Sequence, residues 1–224
     1  MPLSNFLRRR TGGQKSAPEA TVLATDERTS EEPSAKEVFQ RPDLLANRAA
    51  AHFVEGIPVE RDYDLLPDAD IRDSLEITPE QRDRCLREYS VLRVAGVSLC
   101  VKQNYEDAFW LIFTDRIVPA LNKRLDQLPS TVNHAETRSA VEEYVLAGES
   151  AKPEAIATIY MRRVYDDNPN YIRMKVSGIG DIANNTLLST YDIFRDAYCQ
   201  VKYGLSYETL KALNSAVESK AGEA

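Results

Sequence analysis

The 224-residue chain carries 43% hydrophobic and 28% charged side chains, enough for one large domain or two small ones with an ordinary globular core. Its 28 Lys and Arg against 35 Asp and Glu leave a formal charge of -7 and a pI of about 5.1, which excludes a surface that binds nucleic acid everywhere but leaves room for a local basic site. Cys85, Cys100 and Cys199 are odd in number, far apart and without a C-x-x-C pair, which argues against a disulfide scaffold or thiolate zinc site and for a reducing location, the cytoplasm or a virion.

The first 37 residues are rich in Ser, Thr, Pro, Gly and Glu, and Phe6 is their only aromatic. So little apolar surface cannot offset the ~1–2 kcal/mol per residue of backbone ordering, so 1–37 is expected to be a disordered N-terminal arm. Arg8, Arg9 and Arg10 follow a very short apolar patch, the reverse of a secretory signal. A solvated tail and an arm that orders on a neighbouring subunit or a phosphate backbone are both compatible with this composition.

Residues 38–77 are expected to form a short helix and an acidic connector. Pro42 opens the helix, where its missing N–H costs nothing, and Gly56 with Pro58 ends it. Between 60 and 80, eight acids face only Arg61 and Arg72. Asp62/Asp64 and Asp68/Asp70 repeat an Asp-x-Asp spacing, but the Gly and distant Glu of a calcium loop are missing, so a solvated linker or a partner-docking segment fits better than a metal site.

From 78 to 220 the punctuation predicts a helical domain, with a short polar tail at 221–224. Thr78-Pro79-Glu80-Gln81 reads as a capping box, followed by Cys85, Leu86, Tyr89, Leu92, Gly96 and Leu99 on one face. The apolar run Val94–Val101 spans eight residues where a membrane helix needs ~20, so no membrane span is expected. Asn104 and Asp107 start a second helix with Phe109, Ile112, Val118, Leu121 and Leu125 inward, and Pro119 should kink or split it. Asn133 and Glu136 start a third, carrying Ala140, Val141, Tyr144 and Val145, with Gly148 as its stop. Pro153 opens a fourth, striped by Ile156, Ile159, Tyr160 and Val164. Tyr171–Val176 alternates as a short strand would. Asp181 caps a helix that runs to Tyr203 and stops at Gly204, with Ile182, Leu187, Leu188, Tyr191, Phe194, Tyr198 and Val201 inward. Ser206 caps the last helix, with Leu210, Leu213 and Val217 facing inward. The period of 3.6 dominates, so the fold class is all-α, a bundle of about five to seven helices with at most one short strand.

Catalytic signatures are sparse. His52 and His134 lack the i, i+4 partner that chelates zinc, and no nucleophile elbow, phosphate loop or dinucleotide fingerprint appears. No cofactor or metal is implied, and a non-enzymatic role is expected, with a dispersed carboxylate site as a lesser reading. The most informative stretch is 159–181, where Tyr160, Tyr165 and Tyr171 interleave with Arg162, Arg163, Arg173 and Lys175. Guanidinium groups fit phosphates bidentately and rings stack on bases, so these seven residues are the candidate groove for single-stranded nucleic acid. The competing reading puts Tyr160 and Val164 in the core and leaves Arg162, Arg163, Asp166 and Asp167 as a mutually neutralised surface. Within this stretch, Val176-Ser177-Gly178-Ile179-Gly180-Asp181-Ile182-Ala183 resembles the hairpin of helix-hairpin-helix DNA-binding motifs, whose Gly-hydrophobic-Gly turn offers amides to phosphate. Asp181 departs from that pattern by placing a repelling carboxylate after the second Gly, and Arg173 stands where an apolar residue is usual; a chain reversal into the following helix fits Gly178 and Gly180 better.

The leading functional expectation is a self-assembling structural protein of coat or nucleoprotein type: a homo-oligomer with a flexible arm and a local Arg/Tyr site for single-stranded nucleic acid. The runner-up is an acidic adaptor or effector that docks on a protein partner through Asp62, Asp64, Asp68 and Asp70. Both rest on layout and charge rather than on a reactive cleft.

Overall fold

Thr78 opens the longest helix through the expected capping box. Its Oγ1 accepts from the Gln81 N–H at 3.2 Å, and Gln81 Oε1 accepts from the Thr78 N–H at 2.9 Å. The computed structural model describes residues 32–57, 77–128, 136–150, 152–165 and 178–221. Among these it holds eight α-helices, one π-helical turn and no strand, an all-α multi-helix bundle. The segments 58–76 and 166–177, with the acidic connector and the expected strand at 171–176, lie outside the described residues, as do 1–31 of the arm.

In chain order the helices are α1 (Ala35–Gln40), α2 (Pro42–Ala49, continued by the π turn Ala50–Val54), α3 (Pro79–Asn104), α4 (Asp107–Leu125), α5 (Thr137–Glu149), α6 (Pro153–Tyr165), α7 (Ile179–Tyr203) and α8 (Tyr207–Ala221). The centre is α3, where every residue from Glu88 to Val101 is buried. A helix with apolar groups on all sides has no face to give to water, so it is enclosed by neighbours. Here α4, α5, α6 and α7 all pack against it.

Glycines set how close two of these neighbours come. A Cβ on Gly96 would sit 2.5 Å from the Leu187 carbonyl oxygen, so α3 and α7 cross backbone to backbone at that point. Gly148 does not stop α5, which continues to Glu149. Its missing Cβ instead makes room for Leu99, whose Cδ2 lies 2.6 Å from where that atom would be.

Several local expectations need correcting. The folded body begins earlier than 78 and inside the supposed arm: Ser34 and Glu37 cap α1 reciprocally, each bond 3.3 Å long, and Val38, Phe39, Leu45, Ala46, Ala49, Phe53 and Val54 join the core. α1 is anchored on α7 and α2 on α4, so the short helix expected ahead of the acidic connector packs into the bundle and is preceded by a second one. α4 runs through Pro119 as one helix. Pro119 and Asp115, whose carbonyl loses its donor, both lie on the exposed face, where water can supply a replacement. Leu121 and Leu125 are buried as expected, but the inner stripe ahead of them is Phe113 and Ile117 rather than Ile112 and Val118, and Ile112 is 47% exposed. Asn104 belongs to the end of α3, where its Nδ2 donates to the Cys100 carbonyl at 2.8 Å. Asp181 is in the first turn of α7, not its cap; that position is taken by Gly178 in the left-handed region (φ +81°). Gly204 (φ +70°) ends α7 as expected, and Ser206 Oγ caps α8 by accepting from the Thr209 N–H at 3.2 Å. Among the described residues, no helix is long and apolar enough to cross a membrane.

Candidate functional site

Four of the seven residues expected to hold nucleic acid lie on α6, and its phase separates them. Ile156, Tyr160, Met161, Val164 and Tyr165 form its buried face. The Tyr160 hydroxyl donates to Tyr89 Oη at 3.3 Å, with the rings stacked at 6.0 Å, and the Tyr165 hydroxyl meets Cys85 Sγ at 3.5 Å. Both phenols are pushed above their ordinary range, mainly by burial. With 0% and 1% of their surface exposed, neither Tyr160 nor Tyr165 presents a face on which a base could stack, which corrects that expectation. Their rings fill the α3–α6 interface because two neighbouring i, i+4 rows of α6, Ile156/Tyr160/Val164 and Ala157/Met161/Tyr165, both face inward.

Arg162 and Arg163 are adjacent but differently placed. Arg162 is exposed and ion-paired to Glu143 of α5. Arg163 turns inward, where its Nε donates to Glu88 Oε2 at 3.0 Å while a second nitrogen lies 3.7 Å from Glu143. Both charges are therefore met by carboxylates of α3 and α5. Arg173, Lys175 and Tyr171, the other members of the set, and the docking candidates Asp62, Asp64, Asp68 and Asp70 lie outside the described residues.

Glu88 is the residue the sequence reading missed. It is fully buried, and its carboxylate accepts from the Tyr144 hydroxyl at 2.9 Å as well as from Arg163, with Arg87 Nε 3.7 Å away. Burial and the neighbouring carboxylate raise the Tyr144 phenol well above its usual range. Its position was a readable signal: Glu88 falls between Cys85 and Leu92 at helical spacing, on the same apolar face. The thiols are likewise interior groups. Burial raises Cys85, and pushes Cys100 up to about 12, so both stay protonated at neutral pH.

The exterior is more suggestive. α8 is held to α7 by the guanidinium of Arg195, 3.5 Å above the Tyr207 ring, and by the Tyr207 N–H donating to Asp196 Oδ1 at 2.8 Å. Beyond those contacts Leu210 is only half-buried, and Leu213 is 51% exposed, contrary to the expected inward stripe. Tyr203 and Leu205 extend the apolar surface across the α7–α8 joint. Val217 continues the i, i+3, i+7 pattern in sequence, though its side chain lies outside the described set. Elsewhere a groove of about 290 Å3 opens among α3, α5, α6 and α7, lined by Leu99, Ala147, Gly148, Ile156 and Leu188, with Gln103, Lys152 and Asn184 as its polar part. Compared with known proteins, the chain matches no family model, no curated protein and no solved structure.

Proposed function

We propose that this protein is a non-enzymatic, self-assembling structural subunit of coat or nucleoprotein type, and that α8 is its assembly element. The observation that carries this reading is Leu213, 51% exposed on a helix with its own cap, close in sequence to the exposed Tyr203 and Leu205 at the α7–α8 joint. One chain thus carries exposed apolar side chains and an apolar groove. A joint made of two different patches on identical copies is heterologous, and repetition gives a ring or an open filament. Leu210 and Leu213 of one copy entering the α5–α7 groove of the next supply such a joint. The nucleic-acid component of the reading draws no support from α6, where Tyr160 and Tyr165 are interior and Arg162 and Arg163 are ion-paired; its remaining candidates are Arg173, Lys175 and Tyr171.

Light scattering on a sizing column tests it. The wild-type chain is expected to grow in mass with concentration. Leu213→Asp and Leu188→Asp should each stay monomeric with unchanged helical content. Mixing the two variants should restore a dimer and nothing longer, since each retains one intact half of the joint. A wild-type chain that stays monomeric at every concentration would sink the assembly reading and leave the adaptor reading as the stronger one.

A further inference from the structure

A second concave feature lies apart from the groove among α3, α5, α6 and α7. Between α1, the joint of α3 and α4, and the last turns of α7 lies a pocket of about 290 Å3. Phe39, Tyr105, Tyr198 and Val201 line its apolar part. The rings are fixed against one another: Tyr105 meets Tyr198 edge-on at 5.5 Å, and Phe39 tilts against Tyr198 at 6.3 Å. The Tyr105 hydroxyl donates to the Phe39 carbonyl at 2.9 Å, which pins α1 in place as one wall. A cup whose walls are locked in this way is largely pre-formed, as small-molecule sites are.

Lys36 and Lys202 stand at the same pocket, with Gln40 and Asn104. Lys202 Nζ donates to the Tyr198 hydroxyl at 2.5 Å and is also engaged by Tyr203, which leaves that ammonium one further N–H for a ligand. Among the described residues neither lysine pairs with a carboxylate, whereas Lys102, Arg138, Arg162, Arg163 and Arg195 all do. Two uncompensated ammonium groups beside an aromatic cup are unexpected in a chain of charge -7. The ends of α3 and α7 each bring a partial charge of only about -0.5, so the two full positive charges outweigh them. The adjoining depression over Tyr105 and Phe109 carries Glu106, which confines an anion to the lysine side.

We infer that this pocket binds a small ligand made of one aromatic ring and one anionic group, the ring held by Phe39, Tyr105 and Tyr198 and the anion by Lys36 and Lys202. Its volume admits one ring system and little more, at the lower end for ligand sites. An aryl carboxylate and a mononucleotide both have this chemistry. Calorimetric titration of the full chain with 3-phenylpropionate, with uridine 5′-monophosphate and with 3-phenylpropanol separates them. At least one of the two anions is expected to bind, with affinity falling as salt rises, and the uncharged alcohol is expected to bind about tenfold or more weakly. The anion that binds identifies the source. Val201→Trp, which fills the cup, should abolish binding, and the double variant Lys36→Gln/Lys202→Gln should weaken it by about tenfold or more. Circular dichroism and melting temperature of both variants are expected to match the wild type. Binding of neither anion, or binding that is unchanged in both variants, would overturn the inference. None of these outcomes depends on the oligomeric state.

Discussion

α3 and α8 begin with the same kind of local instruction and end in opposite environments. Thr78 and Ser206 each accept the backbone N–H three residues on, and each helix carries apolar residues at helical spacing. Yet α3 is buried without interruption from Glu88 to Val101, while every described side chain of α8 after Leu210 is exposed. A cap and a stripe thus specify that a helix forms. What they leave open is how many neighbours surround it, which depends on how much of the circumference is apolar. α3 is enclosed on every side, even around a carboxylate, whereas α8 half-buries Leu210 and leaves Leu213 exposed among the described residues.

That contrast can be broken at three places. The largest effect is expected at Arg163. Replacing it with Met leaves the fully buried Glu88 without its closest cation and should cost about 3 kcal/mol, lowering Tm by roughly 6–12 °C, whereas Arg162→Met on the exposed side should cost less than about 1 kcal/mol. Equal losses at the two sites, in thermal melts of both variants, would show that the interior is wetter than the burial of Glu88 implies.

A smaller loss is expected at the helix crossing. Gly96→Ala gains helix propensity, yet its methyl meets the Leu187 backbone oxygen, so the net should be a destabilisation of about 1–3 kcal/mol. Gly148→Ala meets only the end of the Leu99 side chain, which can rotate away, and should cost less. Urea unfolding of the pair measures the difference, and a stabilised Gly96→Ala would mean that α3 and α7 are not in close contact.

The smallest effect on stability is expected from removing α8. A chain ending at Gly204 loses the Arg195–Tyr207 stack and two half-buried side chains, about 1 kcal/mol and under about 4 °C in Tm. Its assembly should nevertheless disappear in light scattering. Collapse of the whole fold on truncation would place α8 in the core and undo the comparison.

Much of the bundle was legible in the chain because helix signals are local. The Thr78 box, Pro42, Pro153, Ser206 and the stop at Gly204 are all where spacing places them. The errors of facing have one origin. Ile112, Leu188 and Leu213 were expected inward from periodicity, but a helix wheel gives relative phase and not which arc meets a neighbour. The same ambiguity joined Tyr160, Tyr165, Arg162 and Arg163 into one groove, when α6 buries both rings and turns its two arginines toward different acids.

By itself the sequence determined that the chain is helical and where most helices begin and end, because caps and prolines act within a few residues of where they stand; that α3 is buried on every side, rather than on the one face read from its spacing, came from the packing of four helices around it. Only the tertiary structure decided that Glu88 is a buried acid between Arg163 and Tyr144, that Gly96 and Gly148 are points of close approach, and that Phe39, Tyr105 and Tyr198 enclose a pocket between two lysines. Each such set joins segments that are far apart in the sequence, and no local period records which turn of one helix will lie against which turn of another.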